Sequence, residues 1–120
     1  MPLQGLTECR DYTYASATSD ASPLVTDCQD IITNIQGTNG EWTTGVDQDR
    51  KIVSAGTCNM DVQSTNTVGD VSFHVGAQDV INIINYAIAN YASNGKVGAS
   101  GTMTCDGNVN SNQGVKWGLY

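Results

Sequence analysis

The sequence predicts an α+β fold, an antiparallel sheet with two helices packed on one face and braced by two disulfides. Three observations carry this. Two stretches repeat apolar residues at spacings of three and four, the period of an amphipathic helix. Much of the remainder alternates with period two between Gly- and Asn-rich turns. Four cysteines, Cys9, Cys28, Cys58 and Cys105, are dispersed along the chain without a CxxC pair. That spacing argues against zinc or thioredoxin-like sites and for a disulfide framework.

The elements follow in order. Residues 10–17, with Tyr12, Thr13 and Tyr14, predict a strand. A first helix is expected over 23–35, with Ser22 as its cap and Pro23 in its first turn. It places Leu24, Cys28, Ile31, Ile32 and Ile35 on one face, so Cys28 points inward. Gly37 and Asn39-Gly40 end it. Strands follow at 41–44, 51–54 and 57–62, and at 71–75, where Val71, Phe73 and Val75 alternate with Ser72 and His74. The second helix is expected over 77–94. Its stripe is Val80, Ile81, Ile84, Ala87, Ile88 and Tyr91, and Asn94-Gly95 supplies a left-handed stop. Strands at 97–105 and 115–119 close the chain, joined by a polar loop at 106–114. Few strands alternate with helices, so both helices cover one face of an antiparallel sheet. No repeat or linker divides residues 1–120, which read as a single domain.

Four cysteines allow three pairings. The favoured one is Cys28–Cys58 with Cys9–Cys105. Cys28 faces inward from the first helix above the strand bearing Cys58, and Cys9 and Cys105 bound the outer segments.

Composition excludes several function classes. Twelve acids oppose five cations, a net charge of −7. Arg10, Arg50, Lys51, Lys96 and Lys116 are scattered, so neither nucleic acid nor an anionic membrane surface is an expected partner. The apolar stretch 80–92 is interrupted by Asn82, Asn85 and Asn90 and is too short to span a bilayer. Only 14% of residues are charged, against about 25% in an average domain. With the cysteines, this indicates a secreted protein. No signal peptide opens the chain, which therefore reads as a mature form. No N-glycosylation sequon is present.

An ordered set of segments carries a family resemblance. It comprises Asp27-Cys28-Gln29-Asp30-Ile31-Ile32, Gly40-Glu41-Trp42, Gly56-Thr57-Cys58-Asn59-Met60 and Val75-Gly76-Ala77-Gln78-Asp79-Val80-Ile81. Gly95-Lys96-Val97-Gly98-Ala99, Met103-Thr104-Cys105 and Val115-Lys116-Trp117-Gly118-Leu119-Tyr120 complete it. From Cys9 to Tyr120 the chain resembles the Ecp2-like (Hce2) domain of fungi, labelled a necrosis-inducing factor. The resemblance implies a small secreted effector acting on a plant host, in some members provoking cell death. Related domains attached to chitinase-like killer proteins imply antagonism of other organisms. The sheet-and-two-helix arrangement is also similar to small fungal killer toxins. The family supplies no catalytic residues to carry over.

The residues themselves offer few catalytic candidates. His74, the single histidine, has no GxSxG elbow to serve and reads as a solvent-facing strand residue. Carboxylate pairs could hydrolyse glycosides; the candidates are Asp27 with Asp30, Asp47 with Asp49, and Glu41. Asp27 and Asp30 read instead as first-turn, solubilising acids. Residues 106–112 imitate the start of a calcium loop, but Ser111 and Trp117 stand where glycine and glutamate are required, so a polar hairpin is expected. Residues 95–101 lack the Gly-Lys-Ser/Thr of a phosphate loop. Gly98 is expected to admit a close neighbour, such as a large residue of the helix face.

Trp42, Tyr12, Tyr14, Tyr86, Tyr91, Trp117 and Tyr120 could form a sugar- or protein-binding surface where exposed, and Trp42, beside glycines and a turn, is the favoured contact. The expected function is thus a secreted, non-catalytic effector or toxin-like protein without metal or cofactor. Its expected partner is a host-plant or competitor protein, or a cell-wall glycan, met in the host apoplast. A carbohydrate-binding module is the alternative reading, and a small extracellular hydrolase a third.

Overall fold

A computed structural model describes residues 7–37, 40–46 and 48–120. The expected cap residue Asn39 and candidate acid Asp47 lie outside them. The described elements are β1 (Cys9–Arg10), β2 (Ala15–Ser16), α1 (Val25–Ile35), β3 (Glu41–Gly45), β4 (Asp49–Ala55), β5 (Cys58–Ser64), β6 (Ser72–Gly76), α2 (Ala77–Tyr91), β7 (Ala99–Cys105) and β8 (Gln113–Leu119). The fold is α+β with antiparallel sheets, as the sequence predicts.

The larger sheet runs β1-β7-β8-β5-β4, with β2 also on β7. The smaller one pairs β3 with β6, from Glu41 opposite Gly76 to Gly45 opposite Ser72. The sequence reading foresaw one sheet. The split arises because β6 meets the end of the β7 segment at only a few points, including His74 N–H to the Asp106 carbonyl at 2.8 Å. Cross-strand register puts Met60 opposite Leu119 and Val62 opposite Trp117. Met103 lies opposite Val115. These side chains share one face and are buried. α1 packs on β4 and β5, and α2 beside α1 and on β6. Ile31, Ile83, Ile84, Phe73 and Val97 complete the same core, each worth about 1.5–3 kcal/mol when fully buried.

Several local expectations are corrected. Residues 10–17 form two short strands, because Asp11 takes φ +57°. Arg10 pairs with Thr104, but Ala15 pairs with Ser100. The edge strand therefore carries one extra residue between them, a bulge. Ser22 does not cap α1. Its hydroxyl accepts from Ser19 N–H (2.9 Å) and donates to the Ala17 carbonyl (3.3 Å), closing the preceding loop. Leu24 occupies the N-cap without a side-chain bond. α2 stops at Tyr91, not at 94. Asn94 and Gly95, with φ +53° and +77°, instead form a tight turn in which Ser93 and Lys96 exchange backbone hydrogen bonds. Two consecutive left-handed residues of the Asn-Gly type suit such a turn. Val71, expected on the buried side of its strand, is 70% exposed because β6 begins at Ser72.

Glycines on and just before β7 let the edge strand dock. A Cβ on Gly101 would stand 1.9 Å from the Thr13 carbonyl oxygen, and one on Gly98 2.8 Å from the Ala17 carbonyl oxygen. The neighbour at Gly98 is thus the edge backbone, not a helix side chain.

Candidate binding surface

A ladder of aromatic rings runs from the core to solvent. Trp117 lies edge-on to Tyr14, with centroids 5.7 Å apart. Tyr14 stacks on Tyr86 at 3.7 Å and 19°. Tyr91 meets Tyr86 edge-on at 6.0 Å. Trp117 is buried, whereas 41% of Tyr86 is exposed. Stacked and edge-on pairs are the arrangements that ring quadrupoles favour.

The fold positions the tyrosine rings from two places. Tyr14 projects from the irregular stretch between β1 and β2, and Tyr86 and Tyr91 from α2. Thr18 ties the two sides together, its hydroxyl donating to the Tyr91 carbonyl at 2.7 Å and accepting from Gly98 N–H at 3.0 Å. Partial burial, then the neighbouring phenol of Tyr86, hold the Tyr14 and Tyr91 hydroxyls above the ordinary phenol range. These two phenols are therefore neutral at physiological pH.

The other aromatics lie elsewhere. Trp42 is half-buried on β3 against the core. Tyr12 turns inward, its hydroxyl donating to Asp79. Tyr120 is 54% exposed at the far side of the sheet.

The structure also gathers an acidic cluster around His74. The His74 ring nitrogen Nδ1 lies 2.9 Å from the Thr43 hydroxyl and 3.9 Å from Glu41 Oε1. His74 is only half-exposed, since β3 covers one side of it, a correction to its reading as a plain solvent-facing residue. Glu8 lies beside Glu41 and Asp106, and Asp106 in turn pairs with Arg10 at 3.2 Å. Burial, then the Glu41 carboxyl, push Glu8 up to about 6.

Because Glu8 rises from 4.5 to about 6 on folding, the folded state favours its protonated form. This stabilisation is present below pH 4.5 and is lost as pH rises through 6. Glu8 is only partly buried, so solvent screening limits the effect to about 1 kcal/mol or less. Urea midpoints of the wild type should fall between pH 4.5 and 6.5, and Glu8→Gln should flatten that fall. An equal fall in the variant would remove Glu8 as its source.

The remaining carboxylate candidates do not converge. Asp27 Oδ2 accepts from the Thr57 N–H (2.8 Å) and hydroxyl (2.6 Å), which holds its carboxyl below the usual range. It clamps α1 to the β4–β5 turn, a role beyond the expected first-turn dipole. Asp30 is exposed on α1. In residues 106–112 the oxygen-bearing side chains serve the fold. Asn108 Oδ1 accepts from Val71 N–H at 2.8 Å, and Asn110 Nδ2 donates to the Val68 carbonyl at 2.5 Å. Buried Asp70 accepts from Val109 and Asn110 N–H, both at 2.8 Å. Among the described residues no group of three His, Cys, Asp or Glu side chains is placed to hold a metal. No described helix is long and apolar enough to cross a membrane.

Disulfides join Cys9 to Cys105 and Cys28 to Cys58, the pairing favoured from the sequence. All four cysteines are buried, with exposures of 0–3%.

Fold and bonding thus define a small, acidic, disulfide-braced α+β protein of the extracellular type. The chain belongs to the Hce2 family, whose model matches residues 8–105 and is described as "Pathogen effector; putative necrosis-inducing factor". It is 50% identical over 119 residues to "Probable chitinase LysM18" of Penicillium expansum, covering 99% of this chain and 8% of that protein. It is 33% identical over 109 residues to "Secreted chitinase LysM12" of the same organism, covering 90% of this chain and 7% of that protein. The chain therefore spans under a tenth of the length of these relatives. An effector-like, extracellular role follows from the family.

Proposed function

We propose that this protein is a secreted, non-catalytic effector that acts by binding a host or competitor protein, with plant cell death as one outcome. The observation that carries this reading is the half-exposed tyrosine cluster of Tyr14, Tyr86 and Tyr91. Aromatic rings fixed by packing give large contact area at little entropic cost, as recognition surfaces require. The net charge of −7 favours a basic or neutral partner. Tyr86 ranks ahead of Trp42 as a contact because more of its ring reaches solvent. The apoplast is the proposed site of action.

Infiltration into leaves tests the reading. The wild type should cause ion leakage, and Tyr86→Ala, with an unchanged circular dichroism spectrum, should reduce it several-fold. A protein that causes no leakage but releases soluble sugar from chitin would overturn the reading in favour of a hydrolase.

The names of the two relatives favour a second reading, a module that binds cell-wall glycan. In it, the domain would hold a chitinase or its own chain near the wall.

A further inference from the structure

We propose that the solvent face of the larger sheet holds a binding site for one pyranose ring of a neutral oligosaccharide. On this face Asp61 lies opposite Gly118 and Gln63 opposite Lys116. Asp49 lies opposite Gln63 and Lys51 opposite Asp61. Cross-strand partners share a side of the sheet, so these residues project away from the helices. Asp49, Asp61, Gln63, Lys116 and Gly118 line a depression of about 180 Å³. Drug-sized ligands occupy about 300–1,000 Å³, so this one suits a single ring of a chain lying across the sheet.

Three features give the ligand its chemistry. First, Asp61 is half-satisfied. Its Oδ2 accepts from the Tyr120 hydroxyl, while Oδ1 is buried without a partner. A covered, unpartnered carboxylate oxygen is costly, and a small side-chain shift on binding that lets a ligand donor reach it recovers that cost. Second, the charges cancel. Asp49 and Asp61 are matched by Lys51 and Lys116, and the ion pairs among the described residues lie elsewhere, at Arg10–Asp106 and His74–Glu41. Neither an anion nor a cation is favoured, but a neutral ligand with both hydroxyl donors and acceptors meets both kinds of group. Third, the exposed Tyr120 ring flanks Gly118, 3.8 Å from where a Cβ would stand, and offers an apolar face beside the polar groups.

This inference deepens the glycan-binding reading and is separate from the tyrosine surface. Titration of isotope-labelled protein with chitohexaose, laminarihexaose, cellohexaose and xylohexaose tests it. At least one should shift the amide resonances of Asp61, Lys116 and Gly118, and its identity separates a fungal from a plant wall source. Lys116→Ala and Asp61→Asn should each weaken binding roughly tenfold, the effect of losing a charged hydrogen-bond partner. Exposed Asp30→Asn should leave it unchanged. Lys116 is exposed, so its loss leaves the fold intact if Asp61→Asn fails to fold. Binding that Lys116→Ala leaves untouched, or that shifts resonances elsewhere, overturns the site but not the glycan reading. No shift with any of the four sugars overturns both.

Discussion

Removing the Cys9–Cys105 bond, as Cys9→Ala with Cys105→Ala, should lower the unfolding free energy by about 4–5 kcal/mol. The Cys28→Ala, Cys58→Ala variant should lose about 3–4 kcal/mol. The order follows from loop size, since the first bond closes 96 residues and the second 30. A longer loop restricts the unfolded chain more. Domains of this size hold only about 5–15 kcal/mol in total, so either loss is a large share. Both bonds are buried, so each alanine pair also leaves a small cavity, which adds to the cost. Urea denaturation under non-reducing conditions measures both effects. A reducing agent that leaves the wild-type midpoint unmoved would sink the claim that the bonds hold the fold. A larger loss from the shorter loop would show that native-state packing, not chain entropy, dominates.

How much was legible in the sequence depended on how local each feature is. The α2 stripe follows from period alone, and Val80, Ile84 and Ala87 are buried as it predicts. Ile83, also fully buried, was missed because α2 sits against both α1 and β6, which widens its buried face. The strand break at Asp11 had no signal in sequence. Its left-handed backbone is imposed by what lies on either side, Cys9 bonded to Cys105 and Tyr12 bonded to Asp79. Asn94-Gly95 was assigned to a helix stop with Gly95 left-handed, whereas both residues are left-handed in a tight turn, because the same dipeptide serves both uses. The pairing of β3 with β6 joins segments that residue patterns cannot match.

The site was less legible still. Which tyrosines reach solvent depends on Tyr14 meeting Tyr86 across two elements, which no local pattern encodes. Trp42 looked exposed because glycines flank it, yet β3 turns it toward the core. His74, Glu41 and Glu8 come from three distant segments, and only Glu41 and His74 were singled out. Asp61 was not singled out, being one acid among twelve. A usable hint existed in the alternation of Asp61 and Gln63 with buried Met60 and Val62. That alternation places a polar row on the solvent side.

Asp79→Ala should cost about 3–4 kcal/mol, a large effect for a single polar substitution. Asp79 is fully buried. Its Oδ2 accepts from the backbone N–H groups of Glu8 (2.7 Å), Cys9 (3.1 Å) and Gly76 (2.9 Å), and its Oδ1 from the Tyr12 hydroxyl. Burial raises its pKa, and these bonds draw it back. One side chain thus caps α2 and latches the start of β1 to it. Alanine strands four donors, whereas Asp79→Asn keeps an acceptor for the backbone groups and should cost about 1–2 kcal/mol. Tyr12→Phe, which strands one carboxylate oxygen, should cost a similar amount. The latch holds the same residue, Cys9, that the long-range disulfide holds. Combining Asp79→Ala with the Cys9→Ala, Cys105→Ala pair should therefore cost less than the sum, by about 1 kcal/mol or more, since groups with a shared partner do not add. Strict additivity in that cycle would show that Asp79 supports the helix alone and that the disulfide by itself holds the N-terminal strand on β7.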